Sequence, residues 1–384
     1  MPSTSPLPIE TTDEVNAQIL AASEDKIQGF VADPLAQIAG KAALPLAVVA
    51  ERIAAMLRAK TIRRVRQTLM SINLARGALV AWNIPADHLN GAFEFMWEKD
   101  PFSGHIVVRS TDKETPGSQY RLWTTLKIPD GYSMVKHCEL LCKITGATAF
   151  KLMPAKRIFA LGVGHVRRRG MEPGAKADAL AQPRDTEYVS LSVLEWTTLI
   201  ALKREFSPEE IEAAATRDPE LFWQTRAAEA GLSLDEFLAT AHALHAKGVI
   251  GRFSTFLEHV KPNAAGERIT TYNALFHWAV PAGRELEAGQ EVGRFHIMTH
   301  AYWREGGSEF NHVNVMGVAH GTDKGRVLAH KAAIDAHLAA IGIPVSYTNV
   351  FWGGRSEIKP SEISPIAYAE WCRSQGIDPA AMRD

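Results

Sequence analysis

Histidine is the side chain best suited to moving protons near neutral pH, and this sequence concentrates it in one region. Of the 14 histidines, ten follow residue 240. Four of these ten fall in two stretches that are typical of central strands: His296, His300, His312 and His320. An imidazole can act as a general acid or base and can also ligate iron. His300 and His320 are therefore our candidates for catalysis.

Side chains alternate between the two faces of a strand, so each stretch presents a defined set on one face. The first set is His300, Tyr302 and Arg304. The second set is His312, Asn314, Met316 and His320. If the two stretches pair antiparallel, one sheet face collects imidazoles, an arginine and a tyrosine. A solvated polar face is the alternative, but the interleaved Trp303 and Met316 favour a ligand-binding face.

Arginine suits the binding of carboxylates because its planar fork donates two parallel hydrogen bonds and stays charged. Candidate anchors late in the chain are Arg252, Arg304 and Arg355, the last of which follows the final predicted strand. Their counterparts earlier in the chain are Arg63, Arg64, Arg109 and Arg121. A solvated surface charge is the alternative for each of them.

The elements that must position these residues occur twice along the chain. GALVAWNIPA at 77–86 resembles NALFHWAVPA at 273–282, and an H-x-x-x-R motif follows each, at 105–109 and 300–304. A second strand-like run, a helical segment and a closing β-rich run then follow in both copies. The order strand, helix, strand, strand, helix, strand is the ferredoxin-like plan.

Each copy is preceded by a helical segment that leads into a short basic strand. Apolar residues at helical spacing in 46–57 precede the strand-like run at 60–70. In the second copy Ser233 and Glu236 form a capping box, and 248–259 follows as a predicted hairpin. We therefore predict an α+β protein with two copies of a winged helix-turn-helix joined to a ferredoxin-like sandwich.

The predicted boundaries follow from this order. A stretch rich in Arg, Gly, Pro and Ala, without apolar periodicity, separates the two copies. The predicted parts are 1–72 and 186–265 for the winged helix-like regions, 73–165 and 266–357 for the ferredoxin-like domains, 166–185 for the linker and 358–384 for a C-terminal tail.

Composition excludes several classes of protein. The 384 residues include 42 Lys plus Arg against 43 Asp plus Glu, a net charge of −1, and 46% are hydrophobic, which is typical of a globular protein. No excess of positive charge attracts the chain to nucleic acid or membranes. Three cysteines are too few for a disulfide framework. The start lacks the pattern of a signal peptide, and no apolar run reaches the roughly 18 residues of a membrane span, so we expect a cytoplasmic chain.

The architecture resembles the Lrp/AsnC regulators, and three motifs resemble siroheme decarboxylases, a family of that fold that acts on tetrapyrroles in alternative heme and heme d1 biosynthesis. The motifs are GVIGRF at 248–253, HAYWR at 300–304 and NVMGVAHG at 314–321. The resemblance implies an enzyme that removes CO2 from acetate side chains of an iron tetrapyrrole. The tetrapyrrole would be its substrate or ligand, with no separate cofactor, and a homodimer is compatible with the fold.

The resemblance implies that His300 and His320 are the functional histidines. We expect substrate contacts from Arg252, Tyr302, Arg304, His312, Asn314, Arg355, Arg64, His105, Arg109 and Lys127. No metal site is predicted, and Cys138 and Cys142 are interpreted as buried thiols on a helix.

Lys127 stands where the second copy has His320. A lysine with a pKa of about 10.4 is a poor proton shuttle, so the chemistry is predicted to lie in the second copy. The first copy would then be structural, or would lend an arginine and His105 across an interface.

The alternative function is that of an Lrp-type transcriptional regulator or a heme-responsive binding protein. DNA binding is disfavoured because the candidate recognition helix 234–246 begins with acidic residues, and 46–60 is mostly Ala, Val and Leu. The basic run of Arg63, Arg64 and Arg66 could still contact DNA phosphates, so the regulator stays an alternative. His277, His330 and His337 are predicted to be hydrogen-bonded core residues.

Overall fold

The computed structural model describes residues 7–70, 73–162, 170–184, 189–216, 221–258, 266 and 270–384. These residues form two compact units. The first unit contains 7–70 and the described residues between 189 and 271, and the second contains 73–162, 170–184 and 272–384. Each unit thus combines parts of the chain that are far apart in sequence.

The α-helices of the described residues are named in chain order. They are α1 (Glu14–Ser23), α2 (Pro34–Ala42), α3 (Leu46–Arg58), α4 (Leu89–Glu98), α5 (Met134–Thr145), α6 (Val193–Leu202), α7 (Pro208–Ala214), α8 (Gln224–Glu229), α9 (Leu234–Ala246), α10 (Glu285–Gly293), α11 (Lys324–Ala340) and α12 (Pro365–Ser374).

The strands are named in the same way. They are β1 (Ile27–Gln28), β2 (Ile62–Leu69), β3 (Ala75–Asn83), β4 (Ser103–Ser110), β5 (Tyr120–Pro129), β6 (Ala149–Pro154), β7 (Arg157–Leu161), β8 (Ile250–Leu257), β9 (Tyr272–Ala279), β10 (Met298–Trp303), β11 (Val315–Gly321) and β12 (Tyr347–Ile358).

In the first unit, helices α3 and α9 each lead into a basic strand, as expected. The capping box of α9 is present, since the Glu236 amide donates to Ser233 Oγ at 3.3 Å and the Ser233 amide donates to Glu236 Oε2 at 3.1 Å. The predicted hairpin at 248–259 is wrong. The described part of it is a single strand, β8, and its partners are β1 and β2 in a sheet of order β1-β8-β2. The winged helix-turn-helix stays a prediction.

In the second unit, residues 75–154 and 272–358 share one order of elements: strand, helix, strand, strand, helix, strand. Their strands lie in the orders β6-β3-β5-β4 and β12-β9-β11-β10, and all of these pairings are antiparallel. In each order the two central strands are those that come first and third in the sequence of that segment. The predicted α+β class is confirmed, and we call these parts the first and second βαββαβ segments.

The two segments share one sheet, because β4 also pairs with β12 and β10 also pairs with β7. Strands β6 and β7 stand at opposite ends of this nine-strand order, yet only Ala155 and Lys156 separate them in sequence. Three Cα steps span at most about 11 Å, so the two edges of the sheet lie side by side. The Lys156 amide donates to the carbonyl of Trp303 on β10 at 2.9 Å. The sheet therefore curls into a barrel.

Helices cover the outer face of the barrel, and a separate cluster fills its interior. Ile106 packs with residues of α4, α5 and α12, whereas its neighbour Val107 belongs to the interior cluster. In the interior, Trp123 lies 5.3 Å from Phe310 and 5.2 Å from Phe351, measured between ring centroids. The side chains that alternate with these apolar residues on the same strand face line the inside of the barrel.

The predicted tail is structured in its described residues. Tyr368 and Trp371 of α12 pack into the apolar core over the first βαββαβ segment. Tyr368 is fully buried, and His137 Nδ1 lies 3.0 Å from its hydroxyl oxygen. The part of the predicted linker at 170–184 pairs with the second segment through the Lys176–Phe295 bridge.

Candidate active site

His300 lies on β10 and His320 on the adjacent strand β11. The two strands pair antiparallel, as expected, and His300 lies opposite Val318. Val318 packs against the interior cluster, so His300 and His320 both face the inside of the barrel. They form a diagonal cross-strand pair, in which the Cβ atoms are about 7 Å apart. One ligand can therefore contact both imidazoles.

Tyr302 shares this face with His300. The phenol ring stacks on the imidazole with centroids 6.0 Å apart and an interplanar angle of 17°. Burial raises the pKa of Tyr302, so the phenol is a neutral hydroxyl at neutral pH. His300 Nδ1 lies 3.1 Å from Thr299 Oγ1. The face thus combines the imidazoles of His300 and His320, which can carry a proton, with the hydroxyl of Tyr302, which can donate a hydrogen bond.

Asn273 and Arg109 extend this cluster. Asn273 lies opposite His320 on β9. Arg109 comes from β4 of the first segment, and its Nη1 and Nη2 each lie 3.4 Å from Asn273 Oδ1. Arg109 is buried, which lowers its pKa to about 10 and leaves the guanidinium charged at neutral pH. The first segment therefore lends a cation to a cluster whose histidines belong to the second.

Asn273 was not among the predicted site residues. The sequence did contain a signal, because Asn273 opens the repeated segment NALFHWAVPA at the position where the first copy has Gly77. Its role depends on a cross-strand partner, and a single strand pattern does not reveal that partner.

Lys127 occupies the position in the first segment that His320 occupies in the second. His105 lies opposite Thr125 on β5, so Lys127 is its diagonal neighbour on the same face. The residue opposite Lys127 is Gly77, so no side chain matches Asn273 there. His105 Nε2 lies 2.7 Å from Ser356 Oγ on β12. The two segments thus share a histidine at the positions of His105 and His300. At the neighbouring position the first segment has Lys127 and the second has His320.

Arg304 and Arg109 also join the two segments in a reciprocal way. Arg304 lies just after β10, is buried, and donates through Nη1 to the carbonyl of Met153 on β6. Arg109 Nη1 donates to the carbonyl of Phe351 on β12 at 3.2 Å. Each arginine therefore binds the last strand of the other segment. The Arg304 guanidinium also lies over the ring of Tyr302, at 4.3 Å from its centroid.

His312 and Asn314 lie in the loop before β11, which begins at Val315, so the predicted strand is shorter than expected. The backbone at His312 is left-handed, with φ of 55°, and cannot continue a strand. The amide of Asn314 is buried, accepts from the Val280 amide at 2.9 Å and donates to the Val280 carbonyl at 2.8 Å. These bonds favour a structural role for Asn314.

Arg355 lies within β12, so its predicted position after the final strand is wrong. Strand β12 is longer than expected because its second part pairs with β4. The Arg355 guanidinium pairs with the carboxylate of Glu94 on α4 and lies 4.0 Å from the Phe93 ring centroid. This half-exposed pair occupies the side chain on the outer face.

Arg64 and Arg252 belong to the first unit, on β2 and β8. Arg64 Nε lies 3.0 Å from Glu205 Oε1, and Arg252 Nε donates to the carbonyl of Glu24 at 3.1 Å. Burial lowers the pKa of both guanidinium groups. The neighbouring Arg66 pairs in register with β8, and burial lowers its pKa to about 10. This sheet therefore carries a basic face.

His277 is fully buried among aromatic rings inside the barrel, with its centroid 5.0 Å from Phe351 and 6.0 Å from Trp123. Burial, together with the charges of Arg109 and Lys331, lowers its pKa to about 3. The imidazole is therefore neutral at pH 7. A core location was predicted, but the expected hydrogen bond is missing at Nε2 among the described residues.

In the described part of the chain, no group of three or more His, Cys, Asp or Glu side chains could hold a metal ion. Cys138 is buried on α5, and burial raises the pKa of its neighbour Cys142 to about 11, so both are thiols at neutral pH. An imidazole of His300 or His320 could hold the iron of a tetrapyrrole. Among the described helices none is long and apolar enough to cross a membrane.

Comparison with known proteins supports the predicted family at the level of the fold. Residues 74–160 match the family described as AsnC-like ligand binding domain. A crystal structure of the siroheme decarboxylase NirDL superposes with a TM-score of 0.63, covering 94% of this chain and 99% of that chain at 17% sequence identity. A comparison with curated proteins by sequence finds no match.

A second structure of NirDL, in co-complex with an iron-uroporphyrin III analogue, matches with a TM-score of 0.63 at 16% identity, over 94% of this chain and 100% of that chain. The resemblance to siroheme decarboxylases expected from the sequence is therefore confirmed in fold. At this identity the match carries the fold and leaves the reaction to be argued from the site.

Proposed function

We propose that this chain is a siroheme decarboxylase-like enzyme, a carboxy-lyase that removes CO2 from acetate side chains of an iron tetrapyrrole. The observation that carries the proposal is the diagonal pair of His300 and His320 on the barrel interior, together with the buried cation Arg109, which contacts Asn273 opposite His320. The likeness in fold to a siroheme decarboxylase, and to its complex with an iron-uroporphyrin analogue, supports it.

The reaction breaks the bond between the acetate methylene carbon and its carboxylate. The electron pair of that bond stays on the methylene carbon, conjugated with the pyrrole, and CO2 leaves. A proton must then reach the carbon to give a methyl group. A protonated imidazole can deliver it, because its pKa lies near neutrality. We assign this step to His320, and we assign orientation of the ligand to His300 and Tyr302.

The cations would bind the carboxylates that stay on the tetrapyrrole. Arginine holds a carboxylate through two parallel hydrogen bonds. In the second unit the candidates are Arg109 and Lys127.

We further propose that the chain arose as two fused copies, each with a winged helix and a ferredoxin-like sheet, and that only the second copy is catalytic. The equal order of elements and strands in the two βαββαβ segments supports the duplication. Lys127 at the position of His320, with Gly77 opposite it, supports the division of labour.

Anaerobic incubation with siroheme, followed by mass spectrometry, tests the activity. The expected result is successive loss of the mass of CO2 with the wild-type chain and no loss with His300→Ala or His320→Ala. An exposed histidine outside the cluster, His88, gives the matched control His88→Ala, which is expected to react like the wild type. Full turnover by both cluster variants would remove the assignment.

The second candidate function is a tetrapyrrole-binding protein or regulator without chemistry, which the match of residues 74–160 to a ligand-binding family favours. It predicts a shifted Soret band when siroheme or heme is added, without any loss of mass. Salt-sensitive retention on DNA would show the DNA binding that a regulator also needs.

A further inference from the structure

Three of the buried polar atoms without a hydrogen-bond partner among the described residues belong to neighbouring side chains inside the barrel. They are Arg109 Nε, His277 Nε2 and Asn349 Nδ2. Their side chains are only 5%, 1% and 4% exposed. Buried polar atoms are nearly always hydrogen-bonded, so each unpartnered atom calls for a reason.

The three side chains are neighbours on one face. Asn349 on β12 lies directly opposite His277 on β9. Arg109 Nη1 donates to the carbonyl of Phe351, two residues along β12 from Asn349. Leu275 and Phe351, which alternate with His277 and Asn349, belong to the interior cluster. The unpartnered atoms therefore belong to one stretch of the barrel interior.

The charge at this place is unbalanced. No carboxylate of the described chain lies within 4.0 Å of the Arg109 guanidinium, whose hydrogen-bond partners are the neutral oxygens of Asn273 and Phe351. Two other buried cations do have a counter-ion: Lys331 Nζ lies 2.6 Å from Asp335, and the fully buried Arg226 lies 2.8 Å from Glu210. A buried cation without a counter-ion is unfavourable.

We propose that the interior of the barrel binds a small monovalent anion between Arg109, His277 and Asn349. The anion accepts the N–H of Arg109 Nε and one N–H of Asn349 Nδ2, and the neutral imidazole of His277 donates when its proton is on Nε2. A single guanidinium charge is balanced by a single negative charge. A halide ion and a small carboxylate such as formate share this chemistry. The site shares Arg109 with the proposed binding of tetrapyrrole carboxylates, and the test below uses neither siroheme nor turnover.

Two measurements on the full-length chain test the site. The first is the thermal midpoint in sodium chloride, bromide or formate, with gluconate replacing the test anion at constant ionic strength. We expect a rise of about 2–4 °C for each tenfold increase above the dissociation constant. A rise with chloride and bromide identifies a halide site, and a rise with formate alone identifies a carboxylate site. The second is anomalous diffraction from bromide-soaked crystals, with a peak expected beside Arg109 Nε for a halide site.

Asn349→Asp is the decisive variant, because it supplies a carboxylate from the chain with almost the same shape. We expect it to lose both the dependence of the midpoint on the anion and the bromide peak, while it stays folded. The control is Arg76→Met, which removes a half-exposed arginine of the same barrel that pairs with Asp130 at 3.7 Å and Asp384 at 3.5 Å. It should keep the wild-type dependence. A wild-type midpoint unaffected by all three anions, or an Asn349→Asp variant with the wild-type dependence, overturns the proposal.

Discussion

At the scale of single residues, strand register decides which side chains meet. His300 and His320 are 20 positions apart in sequence, and the pairing of β10 with β11 makes them diagonal neighbours. The same register makes Lys127 the neighbour of His105. A protonated lysine pairs well with a carboxylate and gives up its proton poorly at neutral pH. Lys127 is therefore suited to binding a carboxylate, whereas His320 at the equivalent position is suited to proton transfer.

This difference makes a first prediction. His320→Ala should lower turnover of siroheme by at least about 100-fold, the usual size of a general acid contribution. Lys127→Ala should leave turnover within a few-fold of wild type and weaken tetrapyrrole binding. Single-turnover mass spectrometry and a Soret titration measure the two quantities. If Lys127→Ala abolished turnover with binding intact, the division of labour between the copies would be wrong.

The second prediction concerns His277, whose pKa in the folded chain is lowered from 6.5 to about 3 by burial and by the charges of Arg109 and Lys331. Below pH 6.5 the unfolded chain takes up a proton that the folded chain excludes. The contribution of neutral His277 to the free energy of unfolding is therefore fully present above pH 6.5. Between pH 6.5 and pH 3 the free energy of unfolding falls by about 1.4 kcal/mol per pH unit because of this histidine.

His277→Phe should remove this slope. Urea unfolding between pH 7 and pH 4.5, in buffer low in small anions, gives the free energy of unfolding for both proteins. The wild-type value minus the variant value should fall as the pH falls. His88→Phe, at an exposed position, serves as the control and should keep the wild-type slope. Parallel curves for His277→Phe and wild type would contradict the assignment.

At the scale of elements, the closing strand β7 depends on α10 beside it. A Cβ atom added at Gly289 on α10 would lie 2.0 Å from the Phe159 ring on β7, too close for any side chain. Helix α4 holds the equivalent place in the first segment, and at its Gly91 an added Cβ meets nothing within 4 Å. The same substitution should therefore have opposite effects in the two helices.

We expect Gly289→Ala to destabilise the barrel by about 1–3 kcal/mol through overpacking. Gly91→Ala should stabilise the chain by up to about 1 kcal/mol through helix propensity. Chemical denaturation measures both changes. Equal effects of the two substitutions would mean that β7 does not pack against α10.

The elements also show what the sequence could and could not predict. Periodicity found α5, α9 and the ferredoxin-like order, because helices and half-buried strands follow local rules. It assigned 248–259 to a hairpin, whereas β8 pairs with β2, nearly 200 residues away in sequence. It extended β11 back to His312, where the left-handed backbone is set by the loop. Partners and loop geometry are tertiary properties, which explains why Asn273 and the neutral His277 were also beyond local patterns.

At the scale of the whole molecule, each compact unit needs both ends of the chain. The sheet of the first unit joins β2 to β8, and the barrel joins β4 to β12 and β7 to β10. A fragment that ends in the linker therefore lacks partners for strands in both units. Unpaired strand edges and uncovered apolar faces make such fragments prone to aggregate.

The fourth prediction follows from this interdependence. Residues 1–170 and 171–384, expressed separately, should be insoluble or show no protected amides in hydrogen exchange. When they are produced together, they should associate into one complex with the protection of the intact chain. Size-exclusion chromatography and hydrogen exchange give the readout. A fragment that folds alone with full protection would contradict the interdependence of the two copies.

The two-residue connection between β6 and β7 also has a consequence for translation. Once the ribosome has made β7, the strand that completes its pairing, β10, is still more than 130 residues away. At about 5–20 residues per second, the nascent chain carries that open edge for about 7 to 27 seconds. Strand β4 waits longer for β12. During this interval neighbouring polysomal chains can pair with the open edges, so slower initiation and lower temperature should raise the yield of folded protein.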